Sequence, residues 1–452
     1  KVFKAYPFPW INKTNESCLR KIKMESSQLK SFVDVAANHG FPIQNIPFGV
    51  YSKDGERRCA SAIGDFVVDL KVLEENKLFS GPLFSALNNA VFAGDFLNDF
   101  MALGRPHWVE ARETLQSLLS ADNATLRDNA DLKAKVLIPM SEVKMEVPAR
   151  IGDYTDFYSS KNHAFNVGVM FRGKDNALQP NWTHLPVGYH GRASSIVASG
   201  TDIRRPKGQI RLPDATTPIW SECRRLDFEV EMGAYVGVPS KMGEPIKIND
   251  ARDHIFGLCV LNDWSARDIQ AWEYVPLGPF NAKNFASTVS PWIITLEALE
   301  PFRTALPEQD PTPMAYLKEK DHSIFDVKLD VHLKMAGKEE DHVISSPNLT
   351  QMYWNFEQQL THHAVTGCNF NTGDFFGTGT ISGTEKTTYG SLLELCWGGK
   401  EPLQVGDETR TFLKDGDELN LVGYCQGEGY RIGFGDCTGK ILPAHSDDKY
   451  FQ

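Results

Sequence analysis

No run of lysine and arginine, no CxxC pair, no phosphate loop of the GxxxxGKS or GxxxxGKT form and no apolar stretch of membrane-spanning length occurs along the 452 residues. Each absence removes a class of function. A phosphate-backbone partner requires clustered cations, whereas this chain has a formal net charge of -11, so nucleic acid is excluded as a partner. The acidity itself has two readings: a solvated acidic surface, the commoner cause, or carboxylates gathered to hold cations. Without a long apolar run there is no membrane span to expect. The eight cysteines are scattered singly, several in apolar surroundings such as Cys259 and Cys396, which suits reduced, buried thiols better than a disulfide framework or a zinc site. The first eighteen residues break their apolar positions with Lys4, prolines and polar residues, a poor secretory leader, so the expected location is cytoplasmic.

What remains is ordinary globular composition, 41% hydrophobic and 23% charged, in a chain long enough for two cores. The first methionine is Met24, and residues 1–23 are read as an extension outside the fold. From Phe41 to about Leu73 short strands alternate with turns, notably at Lys53-Asp54-Gly55. Pro106 opens a helix whose apolar face is Trp108, Ala111, Leu115 and Leu118, and Asn123 is placed to cap a second one through Leu132. Pro139 and Pro148 bracket the candidate boundary between a unit over 24–148 and another over 149–452. The second unit reads as a large β-rich α+β domain. In it the spacing predicts two helices, Asn262 to about Tyr274 and one starting near Asn348.

Three segments carry polar residues in patterns that demand an explanation. In RRLDFEVEMG, Asp227, Glu229 and Glu231 alternate with Phe228, Val230 and Met232, so a strand would put three carboxylates on one face. The bland reading is the wet face of an edge strand. The sharp one is a cation site whose all-oxygen donors suit calcium, magnesium or manganese. In LNDWSARDIQAWEY, a helix would align Asp263, Arg267, Gln270 and Tyr274 in one stripe. An Asp–Arg pair alone gives only about 0.2–0.5 kcal/mol on a helix surface and leaves Gln270 and Tyr274 unexplained. In IGDYTDFYSSKNHAFNVGVMFRG, a loop-like stretch collects Asp156, Tyr158, His163 and Arg172. Histidine is a common general base, although one of twelve is usually structural. Glu394, alone among apolar neighbours in SLLELCW, needs a partner or a raised pKa.

Taken together, GDYTDFYSS, HLPVGYHGRASS, LDFEVEMG, LNDWSARDIQAWEYVPLGPF, GTISG and GEGYRIGFG resemble the fumarylacetoacetate hydrolase family, from about Phe41 to Pro443. The resemblance implies a small SH3-like β-barrel N-terminal domain followed by a large mixed β-sandwich or roll, and a homodimer. It implies hydrolysis of 4-fumarylacetoacetate to fumarate and acetoacetate, the last step of tyrosine and phenylalanine catabolism. Another family member's reaction on a different oxo acid is the alternative. Position by position it makes Asp156, Glu229, Glu231 and Asp263 the metal carboxylates and leaves Asp227 structural. His163 becomes the base, supported by Glu394, with Arg267, Gln270 and Lys283 stabilising an oxyanion. Tyr158, Arg172, Tyr189, Gln270, Tyr274 and Thr380 become substrate contacts. The implied cations are Ca2+ and, near Lys283 and Ser287, Mg2+; the family usually has threonine where Ser287 stands.

Overall fold

The computed structural model describes residue 26 and residues 28–451, so the expectation for residues 1–23 lies outside the described residues. Among the described residues, thirteen strands join in one sheet. They are β1 (Phe48–Lys53), β2 (Glu56–Ile63), β3 (Phe66–Asp69), β4 (Leu137–Pro139), β5 (Lys144–Glu146), β6 (Tyr154–Phe157) and β7 (Gly188–His190). Further along the chain come β8 (Ile196–Ala198), β9 (Val230–Val236), β10 (Ile255–Asp263), β11 (Ser287–Val289), β12 (Trp292–Thr295) and β13 (Phe375–Gly377). The hydrogen-bonded order is β4-β3-β2-β1-β12-β10-β9-β13-β6-β7, with β11 on β10 and β8, and β5 on β1.

The turn between β1 and β2 is the predicted one: Asp54 and Gly55 both take positive φ, the two-residue geometry that an Asp-Gly pair favours. The expected α+β, β-rich character is found, but the closed SH3-like barrel is not. The N-terminal strands run β5-β1-β2-β3-β4 with no pairing from β4 back to β5. Instead Phe48 and Gly49 of β1 pair with β12, so these strands continue the large sheet. The segment between Pro139 and Pro148 is likewise built into the sheet, through β5, and β4 ends at Pro139.

The sheet is covered on both faces, and β10 demonstrates the period of two. Leu258 and Val260 join one apolar cluster, Cys259 and Leu261 the other. The first cluster includes Leu329, Val331, Leu421 and Phe434 from a separate five-stranded sheet. The second takes in helix α1 (Arg105–Leu119), whose Trp108 meets Phe256 edge-on at 5.1 Å.

Several helix boundaries differ from expectation. The helix from Asn123 is two short ones, Ala124–Arg127 and Ala130–Val136, the second capped by the Asn129 side chain. The stretch expected to be loop-like around His163 contains a twelve-residue helix, α2 (Lys161–Arg172), capped by Ser160. Asn262 does not cap a helix: β10 runs on through Asp263 because β9 and β11 both pair with its end. The helix there, α3, is only Arg267–Glu273. Near Asn348 a 3-10 turn comes first, and the regular helix α4 (Phe356–Ala364) starts at an Asn355–Gln358 capping box. A last short helix, α5 (Leu392–Leu395), is capped by Ser391. Among the described residues no helix is long and apolar enough to cross a membrane. Of the described cysteines, all are free and only Cys368 is exposed.

Candidate active site

The site lies where β10, β9, β13 and β6 run side by side. Glu231 of β9 and Asp156 of β6 are separated by one strand, β13, and the residue of β13 opposite Asp156 is Gly377. Strands two apart are roughly 9–10 Å from each other, and a side chain between them would keep the carboxylates apart. A Cβ on Gly377 would sit 2.8 Å from Glu231 Oε2 and 2.9 Å from Asp156 Oδ1, so the glycine leaves the floor on which they meet. Asp263 ends β10, and Glu229 precedes β9. Oxygens of Asp156, Glu229, Glu231 and Asp263 all lie within 4.8 Å of one another, and all four residues are buried.

Two cations border this cluster without balancing it. Lys283 Nζ donates to Glu229 and to Asp263 (2.7 Å), and Arg267 pairs with Glu229 (2.8 Å) and Asp227 (2.8 Å). Burial and then the negative charge of Asp263 push the Asp156 carboxyl well above the usual range; burial and Asp156 do the same to Glu231. Burial also acts to raise Glu229, but Lys283 and Arg267 outweigh it and hold that carboxyl low. Asp156 Oδ1 and Glu231 Oε1 are buried with no hydrogen-bond partner among the described residues. Unpartnered buried carboxylate oxygens at this spacing, with no nitrogen or sulfur donor among them, fit a hard divalent cation. Lys283 is held in its charged form by Asp263 and Glu229, so it brings charge here and no lone pair. Ser287, opposite Asp263 in β11, donates to Asp263 Oδ1 at 3.0 Å.

A second buried pair adjoins the first group. His163, on the third residue of α2, meets Glu394 through Nδ1 at 2.7 Å, and the two side chains are 4% and 0% exposed. Burial acts to raise the Glu394 carboxyl, but His163 and a set of donors hold it below its ordinary value. An ionised Glu394 makes Nδ1 the protonated nitrogen and leaves the Nε2 lone pair free. When His163 carries a proton on both nitrogens, its charge is close enough to lower the Glu229 carboxyl.

The remaining expected residues divide. Tyr158 stands edge-on to His163 at 5.3 Å, and Tyr189 donates to Asp263 at 3.2 Å. Gln270 accepts from Arg267 at 3.2 Å, and the buried Thr380 hydroxyl has no hydrogen-bond partner among the described residues. Tyr274 is 42% exposed at the end of α3. Arg172 lies at the far end of α2 from His163 and gives its guanidinium to the Asn176 and Ala177 carbonyls. Asp263 and Arg267 are not one helical stripe; they meet through Glu229 and Lys283. Asp227 accepts from Leu392 and Leu393 at the start of α5 as well as from Arg267. The sequence reading missed Asn166, Ser382 and Ser391, which all donate to Glu394. Only Ser391 left a signal, the S-x-x-E spacing of a helix start.

This arrangement defines an enclosed acidic cluster that could hold a metal ion, beside a histidine–carboxylate pair, on a mixed α+β scaffold. The chain belongs to the fumarylacetoacetate hydrolase family. The family model described as fumarylacetoacetate hydrolase C-terminal matches residues 154–441, and the one described as fumarylacetoacetase N-terminal matches 44–148. A fumarylacetoacetase of Dictyostelium discoideum is 56% identical over 426 residues, covering 92% of this chain and 99% of that protein. That of Homo sapiens is 52% identical over 417 residues, with 92% and 99% covered. A solved fumarylacetoacetate hydrolase from psychrophilic Exiguobacterium antarcticum shares the fold at a TM-score of 0.50 and 18% identity, over 88% of this chain and 100% of that one.

Proposed function

We propose that this chain hydrolyses fumarylacetoacetate to fumarate and acetoacetate in a metal-dependent carbon–carbon cleavage. The reading is carried by the juxtaposition of the four-carboxylate cluster with the buried His163–Glu394 pair, in a chain more than half identical to fumarylacetoacetases. Asp156, Glu229, Glu231 and Asp263 would hold a divalent cation, Ca2+ being suited to such an all-oxygen set. When bound, the cation polarises the β-diketone oxygens and lowers the cost of negative charge on them. A second cation, Mg2+, near Lys283 and Ser287 rests on the family pattern alone.

The chain's own residues carry the proton and the charge. Glu394 keeps the Nδ1 proton in place, so His163 Nε2 takes a proton from water. The hydroxide adds to the ketone carbon of the fumaryl group, the one bonded to the alkene, and its carbonyl becomes an oxyanion. Arg267, Gln270 and Lys283 supply positive charge and hydrogen-bond donors to that oxyanion. As the carbonyl re-forms, the carbon–carbon bond breaks toward acetoacetate, whose enolate accepts the proton held by His163. Tyr158, Tyr189, Tyr274 and Thr380 contact the substrate, and Arg172 reaches its carboxylate once released from the two carbonyls. The exposed apolar side chains of Val275, Leu277 and Phe280 suit burial against a second copy in a homodimer, and a cytoplasmic location agrees with the reduced cysteines.

The test is product formation. Purified protein given fumarylacetoacetate should yield fumarate and acetoacetate in equal amounts by NMR, stop after thorough chelation, and resume with Ca2+ or Mg2+. No cleavage in the metal-loaded protein would refute the reading.

A further inference from the structure

We infer that Ser382 and Ser391 are positioning residues for this reaction: their hydroxyls clamp the Glu394 carboxylate in the orientation that keeps His163 a base. The inference rests on the role proposed above for His163. Glu394 Oε2 takes three bonds, from His163 Nδ1 at 2.7 Å and from the Ser382 and Ser391 hydroxyls at 2.9 Å each. Both serines and Glu394 are fully buried, so water does not compete for these bonds. The direction of each hydroxyl is fixed from behind. Ser382 Oγ accepts from the Gly390 N–H at 3.0 Å, and Ser391 Oγ accepts from the Glu394 N–H at 3.3 Å. Each serine hydroxyl thus accepts one N–H and gives its single O–H to the carboxylate. Asn166 holds the other oxygen, Oε1, at 3.0 Å. The last torsion of a glutamate is soft, and four donors leave it one setting.

The same two serines tie together the helices that carry the pair. His163 is the third residue of α2 after its Ser160 cap, and Glu394 is the third residue of α5 after its Ser391 cap. Ser382 joins the two starts. Its N–H donates to Ser160 Oγ at 3.3 Å, and its carbonyl accepts from Ser160 Oγ at 3.3 Å. A cap needs only the serine oxygen as acceptor. The extra bonds to Glu394 go beyond what helix capping requires, and they fall on the oxygen that holds the imidazole.

Ser382→Ala and Ser391→Ala, assayed with saturating metal, are expected to lower kcat on fumarylacetoacetate about tenfold with KM unchanged, as loss of a bond to a charged group implies. Ser382→Thr, which keeps the hydroxyl, should stay within about threefold of wild type. The deciding readout is coupling to the base. In a His163→Ala background either serine substitution should change the residual turnover less than about twofold, since residues acting as a unit are not additive. The same tenfold loss in that background, or unchanged kcat in the folded single variants, would overturn the inference while leaving the reaction intact. Should Ser382→Ala not fold, Ser391→Ala acts on the same oxygen and decides the matter. Wild-type turnover by folded His163→Ala would instead remove the proposed reaction on which the inference stands.

Discussion

Substituting Gly377 by alanine adds one methyl group at the place where two strands' carboxylates converge. The new Cβ would lie 2.8 Å from Glu231 Oε2, 2.9 Å from Asp156 Oδ1 and 2.9 Å from Leu261 Cδ2. Ordinary contacts to carbon are about 3.5 Å, so all three neighbours must give way by roughly half an ångström. They cannot do so freely. Glu231 Oε2 accepts the Gly379 N–H at 3.0 Å, and Leu261 is fully buried. Overpacking of this kind costs about 1–3 kcal/mol. Because two of the displaced atoms belong to the proposed cation ligands, much of that cost should appear in metal affinity, a weakening of roughly 5- to 150-fold at about 1.4 kcal/mol per decade. Gly377 is not among the positive-φ glycines, so backbone strain does not confuse the result. Calorimetric titration of chelated protein with Ca2+ measures it directly. Wild-type affinity in folded Gly377→Ala would refute the view that the carboxylates meet over this glycine.

Removing divalent cations should lower the midpoint of thermal unfolding, and adding one back at about a hundred times its Kd should restore about 2.7 kcal/mol; an unchanged midpoint on calorimetry would contradict the cluster as a metal site. Asp227→Asn should destabilise the protein by about 3–5 kcal/mol in denaturant unfolding, because Arg267 loses a buried counter-charge and the amide faces donors from α5; a change below about 1 kcal/mol would count against that network. Glu319 is pushed up to about 9 by burial and then by Glu357, and its Oε1 has no hydrogen-bond partner among the described residues. Its folded pKa exceeds its unfolded one, so between about 4.5 and 9 the native state binds the extra proton and stability falls with rising pH, by up to about 1.4 kcal/mol per unit. Glu319→Gln should flatten that slope in melts at pH 5 to 8, and an unaltered slope would refute the assignment.

The sequence made the chemistry more legible than the backbone that delivers it. Carboxylate alternation in the segment around Phe228 was visible because side-chain pattern and charge are both local. The strand itself begins only at Val230, however, and Asp227 lies in a separate two-residue strand, Leu226–Asp227. What that pattern left open was whether the charged face is wet, and both faces proved buried because the partner strands and helices come from distant segments. The helical stripe from Asp263 failed for a related reason. The spacing was compatible with a helix, but pairing of β10 with β9 and β11 holds Asn262 and Asp263 extended. Helix α2 was overlooked because its Asn, His and Gly residues have weak helical propensity, although Ser160 marks its start and Gly173 follows its end. Gly377, Ser382 and Asn166 could not be picked out at all. Their importance lies in what stands opposite them, across contacts as far as 228 positions along the chain.

The most direct test of the central claim is turnover of fumarylacetoacetate per folded molecule of His163→Ala, with metal binding measured on the same sample. Removing a general base predicts a loss on the order of 100- to 10,000-fold while Ca2+ affinity stays near wild type. Turnover near wild type in the folded, metal-loaded variant would contradict the account.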